Sequence, residues 1–342
     1  MSKKIYIAYT GGTIGMKKTS SGYVPATGYL QKQMESIPEL KTDIMPLYDI
    51  HEYERLLDSA CMSPADWFEI ARDIADNYEK YDGFIVLHGT DTMAYTASAL
   101  PFILKGLAKP VILTGGQVPM CEVRNDSREN IITAMMIAAD YAIPEVCLCF
   151  GSYLLRGNRS VKSDAGSFDP FSSPNYPPLA SVGINIDVNQ KAILPSSNKQ
   201  FEFAMKKPNK AGVAALRLFP GISAETIENI LQPPIKGMIL ETFGVGNGPD
   251  HDSKLLSVLE KASNQGTIIV NCTQCLKGRV DMAAYAAGSA FAEAGVISGY
   301  DMTTEAALAK MICLLADDRS VEDVRKLMQK NLCGELTSGM TR

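Results

Sequence analysis

Short apolar runs rich in β-branched residues recur along this chain, and each is followed by a Gly/Thr/Asn turn and then by a longer helical pattern. The clearest runs are Ile5–Tyr9, Phe84–Leu87, Val111–Leu113 and Val146–Phe150. Strands without a polar face that alternate with helices are typical of a parallel sheet covered by helices. The N-terminal part is therefore predicted to be α/β, with a large parallel-type sheet flanked by helices.

Two helices between these runs carry clear signals. The segment Ser63–Glu79 starts with Ser63 as the predicted N-cap and Pro64 at the first helical position, which is the favoured order of these residue types. The segment Thr92–Lys105 is predicted to be an amphipathic helix.

A second α/β series follows residue 212. Its predicted strands are Val213–Phe219, Gly237–Glu241 and Thr267–Asn271; its predicted helices are Ala224–Leu231, Asp252–Asn264, Met282–Glu293, Thr304–Leu315 and Val321–Lys330. The region between about 170 and 210 is rich in Pro, Ser and Asn, which is typical of a domain boundary. We predict a catalytic α/β domain at residues 1–190, a linker at 191–211 and a smaller C-terminal α/β domain at 212–342.

Charge and composition exclude several classes of protein. The net charge of −5 and the absence of a basic stripe argue against nucleic acid as a partner. The apolar stretch Ile5–Tyr9 is shorter than a signal-peptide core and no apolar run reaches membrane-spanning length, so a cytoplasmic protein is expected. Cys272 and Cys275 form one C-x-x-C, but the three histidines are scattered, so no metal is predicted.

Three predicted loops are candidate ligand-binding sites, because ligands bind beyond the carboxyl ends of parallel strands. These loops are Thr10–Gly15 (TGGTIG), His88–Thr92 (HGTDT) and Thr114–Gln117 (TGGQ). The first lacks the glycine spacing of either nucleotide-binding motif, so no nucleotide cofactor is expected. Each loop alone is compatible with ordinary turn chemistry, but their threonines would converge on one crevice.

A threonine hydroxyl is a weak nucleophile unless a neighbouring group takes its proton. No G-x-S-x-G motif occurs, and His88 has no evident orienting acid in the sequence, which disfavours a Ser-His-Asp hydrolase. A lysine of lowered pKa can replace histidine when a carboxylate holds it. The resulting set is Thr90, Asp91 and a distant lysine that spacing does not identify.

The motifs Thr10–Gly15 and His88–Ala94 together resemble the two signatures of bacterial-type L-asparaginases. The similarity to the type I, cytoplasmic members extends through Arg156–Arg159, Gly244–Gly248 and Asn271–Cys275. The resemblance implies hydrolysis of the side-chain amide of L-asparagine to L-aspartate and ammonia, with no cofactor. It also implies at least an intimate homodimer, commonly paired into a homotetramer.

The resemblance assigns catalytic roles residue by residue. Thr13 is similar to the nucleophile that forms an acyl-enzyme. Tyr23, on a lid at Gly15–Tyr29, would be hydrogen-bonded near it. Thr90, Asp91 and Lys162 resemble the second catalytic group, in which Asp91 orients Lys162 and Lys162 enables Thr90 to handle protons.

Further residues are implied in substrate binding. Asp58 and Ser59 resemble the segment that holds the α-amino and α-carboxylate groups, and Asp91 also reaches the ammonium. Backbone amides around Gly12 and Thr90 would stabilise the oxyanion. Asn247 is similar to a residue that completes the site across a subunit interface. Ala60 follows Ser59 where relatives more often have Gln or Ser, which affects contacts that discriminate against glutamine.

A second departure concerns regulation. Some type I members have an activating second asparagine site, and Val161 and Glu241 stand where those members carry Thr and Arg. A glutamate repels the carboxylate that an arginine would bind. Although Cys275 matches, weak or absent allosteric activation is predicted.

Three alternatives remain. Two are hydrolases: a broad glutaminase-asparaginase, and the asparaginase-like subunit of an amidotransferase that acts on charged transfer RNA, which the acidic chain disfavours. The third is a catalytically silent amino-acid sensor on the same scaffold, although a binding protein has no use for a nucleophile and a lysine base. Ammonia release from asparagine by the wild type and by Thr13→Ala would separate them.

Overall fold

The computed structural model describes residues 3–20, 22–196, 200–204, 212–284 and 286–337. The chain divides into two compact units, Met1–Ala204 and Met205–Arg342. The strands of the first unit are β1 Lys4–Gly11, β2 Met16–Thr19, β3 Gly22–Pro25, β4 Leu47–Leu57, β5 Gly83–Leu87, β6 Leu104–Lys105, β7 Val111–Thr114, β8 Val146–Phe150, β9 Tyr153–Arg156, β10 Val161–Lys162, β11 Phe171–Ser172, β12 Ala180–Val182, β13 Ile186–Val188 and β14 Glu202–Phe203. Its α-helices are α1 Tyr29–Glu35, α2 Pro64–Asn77, α3 Met93–Ile103 and α4 Ser127–Asp140.

The main sheet of the first unit has the strand order β13-β12-β9-β8-β7-β5-β1-β4. Strands β4, β1, β5, β7 and β8 are parallel, and β9, β12 and β13 continue the sheet in antiparallel pairs. The α/β class is confirmed, while the sheet is mixed rather than wholly parallel. Because the parallel strands end on the same edge, the loops after β1, β4, β5 and β7 are neighbours.

The predicted helix at Ser63–Glu79 is confirmed as α2, where the Ser63 amide donates to the Asp66 carboxylate at 2.7 Å. The predicted amphipathic character of the Thr92–Lys105 helix is wrong. Every residue of α3 except Tyr95 is buried. One covered side meets the backbone at Gly157, where an added Cβ would lie 2.5 Å from the Ala97 carbonyl oxygen. A helix covered on all sides needs small and apolar residues throughout.

The end of the first unit lies within the predicted linker. Strand β14 pairs with β6, and Phe201 stacks on Tyr78 with ring centroids 3.7 Å apart. Residues 197–199 and 205–211 of that linker lie outside the described residues. The predicted domain limits at 190 and 212 stay predictions.

The second unit is a smaller α/β domain with the elements β15 Gly212–Arg217, α5 Ala224–Ile230, β16 Ile235–Thr242, α6 Ser253–Asn264, β17 Ile268–Thr273, α7 Ala286–Glu293, β18 Ile297–Ser298, α8 Thr304–Leu315 and α9 Val321–Met328. Its strands form a parallel sheet in the order β15-β16-β17-β18. Apolar side chains form two buried clusters in this unit. One contains Leu240 and Ile269, and the other contains Met311. Within the described ranges, no helix combines the length and apolarity needed to cross a membrane.

Candidate active site

The loops at the carboxyl edge of the main sheet touch through contacts that only glycine permits. Gly12 has φ 85°, and a Cβ placed on it would lie 2.5 Å from the Gly89 nitrogen. A Cβ on Gly89 would lie 2.6 Å from the Ser59 Oγ atom. Both distances are below any normal contact, so side chains are excluded there. Thr13 and Thr90 therefore follow two backbones that are in direct contact.

Lys162, Asp91 and Thr90 form a hydrogen-bonded group. The Lys162 Nζ atom donates to Asp91 Oδ1 at 2.6 Å and to Thr90 Oγ1 at 2.9 Å. Thr90 is buried, whereas the side chain of Asp91 is 65% exposed and that of Lys162 19%. The structure thus brings together the three residues that the resemblance grouped, although Lys162 comes from the distant strand β10.

The Thr90 hydroxyl has a second partner that sequence reasoning did not assign. It donates to the side-chain oxygen of Gln117 at 2.8 Å. Gln117 ends the TGGQ motif after β7, so the motif indicated the position, but neither its spacing nor the family resemblance gave it a role.

Thr13 lies in a short 3₁₀ turn, Thr13–Gly15, directly after β1, and it is partly buried. The carbonyl of Ile14 accepts a hydrogen bond from the Met120 amide at 3.3 Å. A Cβ on Gly15 would lie 2.1 Å from the Tyr9 hydroxyl. The turn is thus held between the loop after β7 and the core.

The segment predicted as a lid forms the β2–β3 hairpin and the start of α1. The Tyr23 hydroxyl donates to Glu122 Oε1 at 2.8 Å, and Lys18 Nζ donates to the same oxygen at 3.0 Å. The hydrogen bond to Glu122 raises the pKa of Tyr23. In this conformation Tyr23 is 42% exposed and bonded to Glu122 rather than to Thr13.

The predicted substrate segment follows β4. The Asp58 carboxylate accepts from the Ala60 amide at 3.0 Å and caps the 3₁₀ turn Ser59–Cys61. Ser59 is buried, whereas Asp58 and Ala60 are exposed. The carbonyl of Ser59 accepts from the Thr92 hydroxyl at 2.7 Å. These bonds fix Ser59 beside Gly89.

The Gly12 amide, expected near the oxyanion, already donates to the Leu57 carbonyl at 3.2 Å. An amide donates one hydrogen bond well, so Gly12 does not offer its N–H to a ligand in this conformation. The close packing of Gly12 on Gly89 is its observed role.

His88 is fully buried and serves the structure of the site. Its Nδ1 lies 2.7 Å from the Gly89 carbonyl oxygen and its Nε2 lies 2.8 Å from Thr96 Oγ1. A carbonyl only accepts, so Nδ1 carries the proton and Nε2 accepts from the threonine. Burial lowers the pKa of His88 to about 4. The ring is neutral at pH 7 and both nitrogens are occupied.

Asn247 lies in the second unit, in the loop after β16. Asn247 and Phe243 exchange two backbone hydrogen bonds, at 2.8 and 2.9 Å, which define a tight turn. Its predicted part in the site of another subunit stays a prediction. Among the residues that the structure describes, no group of three or more His, Cys, Asp or Glu side chains is arranged to hold a metal ion.

Comparison with known proteins defines the class of this chain. A family model described as Asparaginase, N-terminal matches residues 4–194, and one described as Glutaminase/Asparaginase C-terminal domain matches residues 212–328. L-asparaginase 1 of Escherichia coli K12 is 48% identical over 335 residues, covering 98% of each chain. A 60 kDa lysophospholipase of Mus musculus is 43% identical over 357 residues, covering 98% of this chain and 63% of its own.

The crystal structure of L-asparaginase I from Vibrio cholerae superimposes with a TM-score of 0.92 at 51% identity, covering 98% of this chain and 100% of that one. The fold and these matches define an enzyme of the amidohydrolase class. The chain belongs to the asparaginase family.

Proposed function

We propose that this protein hydrolyses the side-chain amide of L-asparagine, giving L-aspartate and ammonia through a threonine acyl-enzyme. The observation that carries the proposal is the pair of bonds from Lys162 Nζ, at 2.6 Å to Asp91 and 2.9 Å to Thr90. A lysine held by a carboxylate against a buried hydroxyl is an arrangement for moving a proton. The 48% identity to an L-asparaginase over 98% of both chains supports the substrate.

In the proposed reaction the Thr13 oxygen attacks the carboxamide carbon. The hydroxyl proton of Thr13, carried by the Lys162–Thr90 pair, passes to the amide nitrogen, which leaves as ammonia when its bond to the carboxamide carbon breaks. The resulting ester is hydrolysed by water, which supplies the second oxygen of the aspartate carboxylate and restores Thr13. The contact between Gly12 and Gly89 supports this assignment because it places the two threonines after adjacent backbones.

Recognition of a small zwitterion requires a carboxylate for its ammonium and hydroxyl or amide donors for its carboxylate. Asp91, with its exposed side chain, and Asp58 are the proposed partners of the ammonium. Ser59 is the proposed partner of the carboxylate. Ala60 offers no polar side chain, so contacts near it do not distinguish asparagine from glutamine, and both amides belong in the assay.

The β2–β3 hairpin is the proposed lid. Tyr23 would leave Glu122 and approach Thr13 when substrate is bound, which closes the site over the substrate and excludes bulk water during the attack of Thr13. We further propose a homodimer or homotetramer, in which Asn247 of one subunit completes the site of another, and a cytoplasmic location. No cofactor or metal is required by these steps.

The test is ammonia release from L-asparagine by the wild type, by Thr13→Ala and by a control, Thr42→Ala. Thr42 is an exposed turn residue whose hydroxyl donates to the Glu39 carbonyl at 2.7 Å. We expect turnover in the wild type and the control, and a loss of roughly a thousandfold or more in Thr13→Ala. Unimpaired turnover by Thr13→Ala would remove Thr13 from the mechanism.

Two other outcomes would contradict the proposal as a whole. Binding of asparagine without ammonia release by the wild type would favour a sensor. Release of fatty acid from a lysophospholipid without amidase activity would favour the activity named in the mouse relative.

A further inference from the structure

Gln117 is held in place by its backbone. The amides of Gln117 and Val118 each donate to one carboxylate oxygen of Asp126, both at 2.9 Å. Asp126 is buried and immediately precedes α4. Asn130, one turn into α4, donates to the Gly115 carbonyl at 3.0 Å. These bonds fix the position from which the Gln117 side chain starts.

The orientation of the Gln117 amide follows from its neighbours. Its Nε2 atom faces the carbonyl oxygens of Ser167 and Ala165, at 3.3 and 3.5 Å. Carbonyl oxygens only accept hydrogen bonds, so the NH₂ end must lie there. The oxygen end therefore faces Thr90 Oγ1, 2.8 Å away.

The same reasoning fixes the Thr90 proton. A charged lysine has three donors and no acceptor, so Lys162 donates to Thr90 Oγ1 across their 2.9 Å contact. The hydroxyl has a single proton, and Gln117 Oε1 is the acceptor beside it. The hydrogen bonds therefore run from Lys162 to Thr90 and from Thr90 to Gln117.

We infer that Gln117 is a positioning residue for the proposed hydrolysis: its side-chain oxygen accepts a hydrogen bond from the Thr90 hydroxyl while Lys162 is charged, and that hydroxyl turns to donate to Lys162 when the lysine is uncharged. The inference rests on the proposed function. Gln117 does not itself exchange protons, because a neutral amide remains neutral throughout. The Thr90 hydroxyl has two arrangements: it donates either to Gln117 or to Lys162. By accepting in the first arrangement, Gln117 links the direction of the Thr90 hydrogen bond to the charge of Lys162.

Two substitutions of similar size separate this role from a structural one. Gln117→Met removes the acceptor of the Thr90 hydroxyl. The arrangement in which Thr90 accepts from charged Lys162 is then no longer stabilised. Gln117→Glu keeps an acceptor for Thr90 and adds a negative charge, which favours charged Lys162 more strongly. Both variants lose the bonds to Ala165 and Ser167 equally. A merely structural role therefore predicts the same defect in both.

The experiment measures kcat and KM for L-asparagine against pH, with thermal unfolding as a check on folding. For Gln117→Met we expect a kcat about tenfold lower, with KM changed less than about threefold, as for a lost orienting bond. The pH midpoint of the kcat profile should move down by about half a unit in Gln117→Met and up by about one unit in Gln117→Glu. Opposite shifts would confirm the inference.

Equal shifts, or wild-type kcat and pH profile in Gln117→Met, would overturn the inference. If Gln117→Met does not fold, the upward shift in Gln117→Glu decides the question alone. Failure of the proposed function is a separate result, since it would appear as absence of ammonia release in the wild type. An active wild type with indifferent Gln117 variants contradicts the role of Gln117 only.

Discussion

Lys162 and Asp91 are joined by a 2.6 Å contact although 71 residues separate them in the chain. Asp91 follows β5 of the main sheet, whereas Lys162 belongs to the short strand β10, which pairs with β11 in a separate two-stranded sheet. Lys162 also contacts buried Thr90. An ion pair this exposed contributes little to folding, which is consistent with the chemical role proposed for it.

Substitution of Lys162 should separate activity from stability. We expect Lys162→Met to lower kcat by roughly 10²- to 10⁴-fold, as for loss of a general base. The free energy of unfolding should change by less than about 1 kcal/mol, because the partner carboxylate is mostly in solvent. Steady-state kinetics and urea unfolding measure the two effects. The control is Lys326→Met, whose exposed pair with Glu322 lies on α9; wild-type kcat in Lys162→Met would contradict the relay.

The contact between Gly12 and Gly89 can be tested with matched alanine substitutions. Gly12 and Gly221 both have positive φ, 85° and 92°, but an added Cβ collides with backbone only at Gly12. The left-handed backbone alone costs an alanine about 1–2 kcal/mol. We expect Gly221→Ala to lose about that much stability and keep its activity. Gly12→Ala should lose more, with kcat down roughly 100-fold because Thr13 is displaced. Equal stability losses would show that the backbones can separate freely.

Burial of His88 predicts a pH-dependent stability. Its pKa falls from 6.5 to about 4 on folding, so between these values the unfolded chain binds a proton that the folded protein does not. Stability from this group is present above pH 6.5 and falls by roughly 3 kcal/mol as the pH drops to 4. Urea unfolding at pH 4.5 and 7 measures the change. His88→Asn, which can still donate to the Gly89 carbonyl, should show a smaller difference; the same difference in both proteins would contradict the prediction.

The predicted lack of activation by asparagine gains support from the surroundings of Glu241. This carboxylate lies at the end of β16, 3.5 Å from Arg217 Nη1. Burial raises the pKa of nearby Glu305, and the charge of Glu241 adds to the rise. Two carboxyl groups disfavour the carboxylate of a second amino acid. We expect initial rates to follow a hyperbola against asparagine concentration, with a Hill coefficient of about 1; a sigmoidal curve would contradict this.

The buried strands were the most predictable part of the fold. Strands β1, β5, β7 and β8 are made mainly of apolar residues, and nearly all of their residues are buried. Strand β4 escaped prediction because its sequence includes His51, Glu52, Glu54 and Arg55. It lies at the edge of the sheet, where polar residues are tolerated. The antiparallel strands β12 and β13, of three residues each, carry too short a pattern to read.

The site was predictable in its loops but not in its partners. Glycines beside threonines marked the turns after β1, β5 and β7, because close backbone contacts exclude other residues. Lys162 came from family resemblance, since no local spacing relates it to Asp91. The proposed role of Gln117 depends on which carbonyl oxygens face its side-chain amide. Those carbonyls belong to Ala165 and Ser167, in the loop after β10, so the contact cannot be predicted before that loop and the turn after β7 are placed in the fold.

One oxygen of Glu122, Oε1, accepts hydrogen bonds both from Lys18 Nζ and from the Tyr23 hydroxyl. Because Lys18 lies on β2 and Tyr23 on β3, this single carboxylate contacts both strands of the hairpin. All three side chains are at least partly open to water, so the anchor is weak. Loss of the Glu122 carboxylate, as in Glu122→Ala, should therefore weaken the attachment of both strands of the hairpin at once.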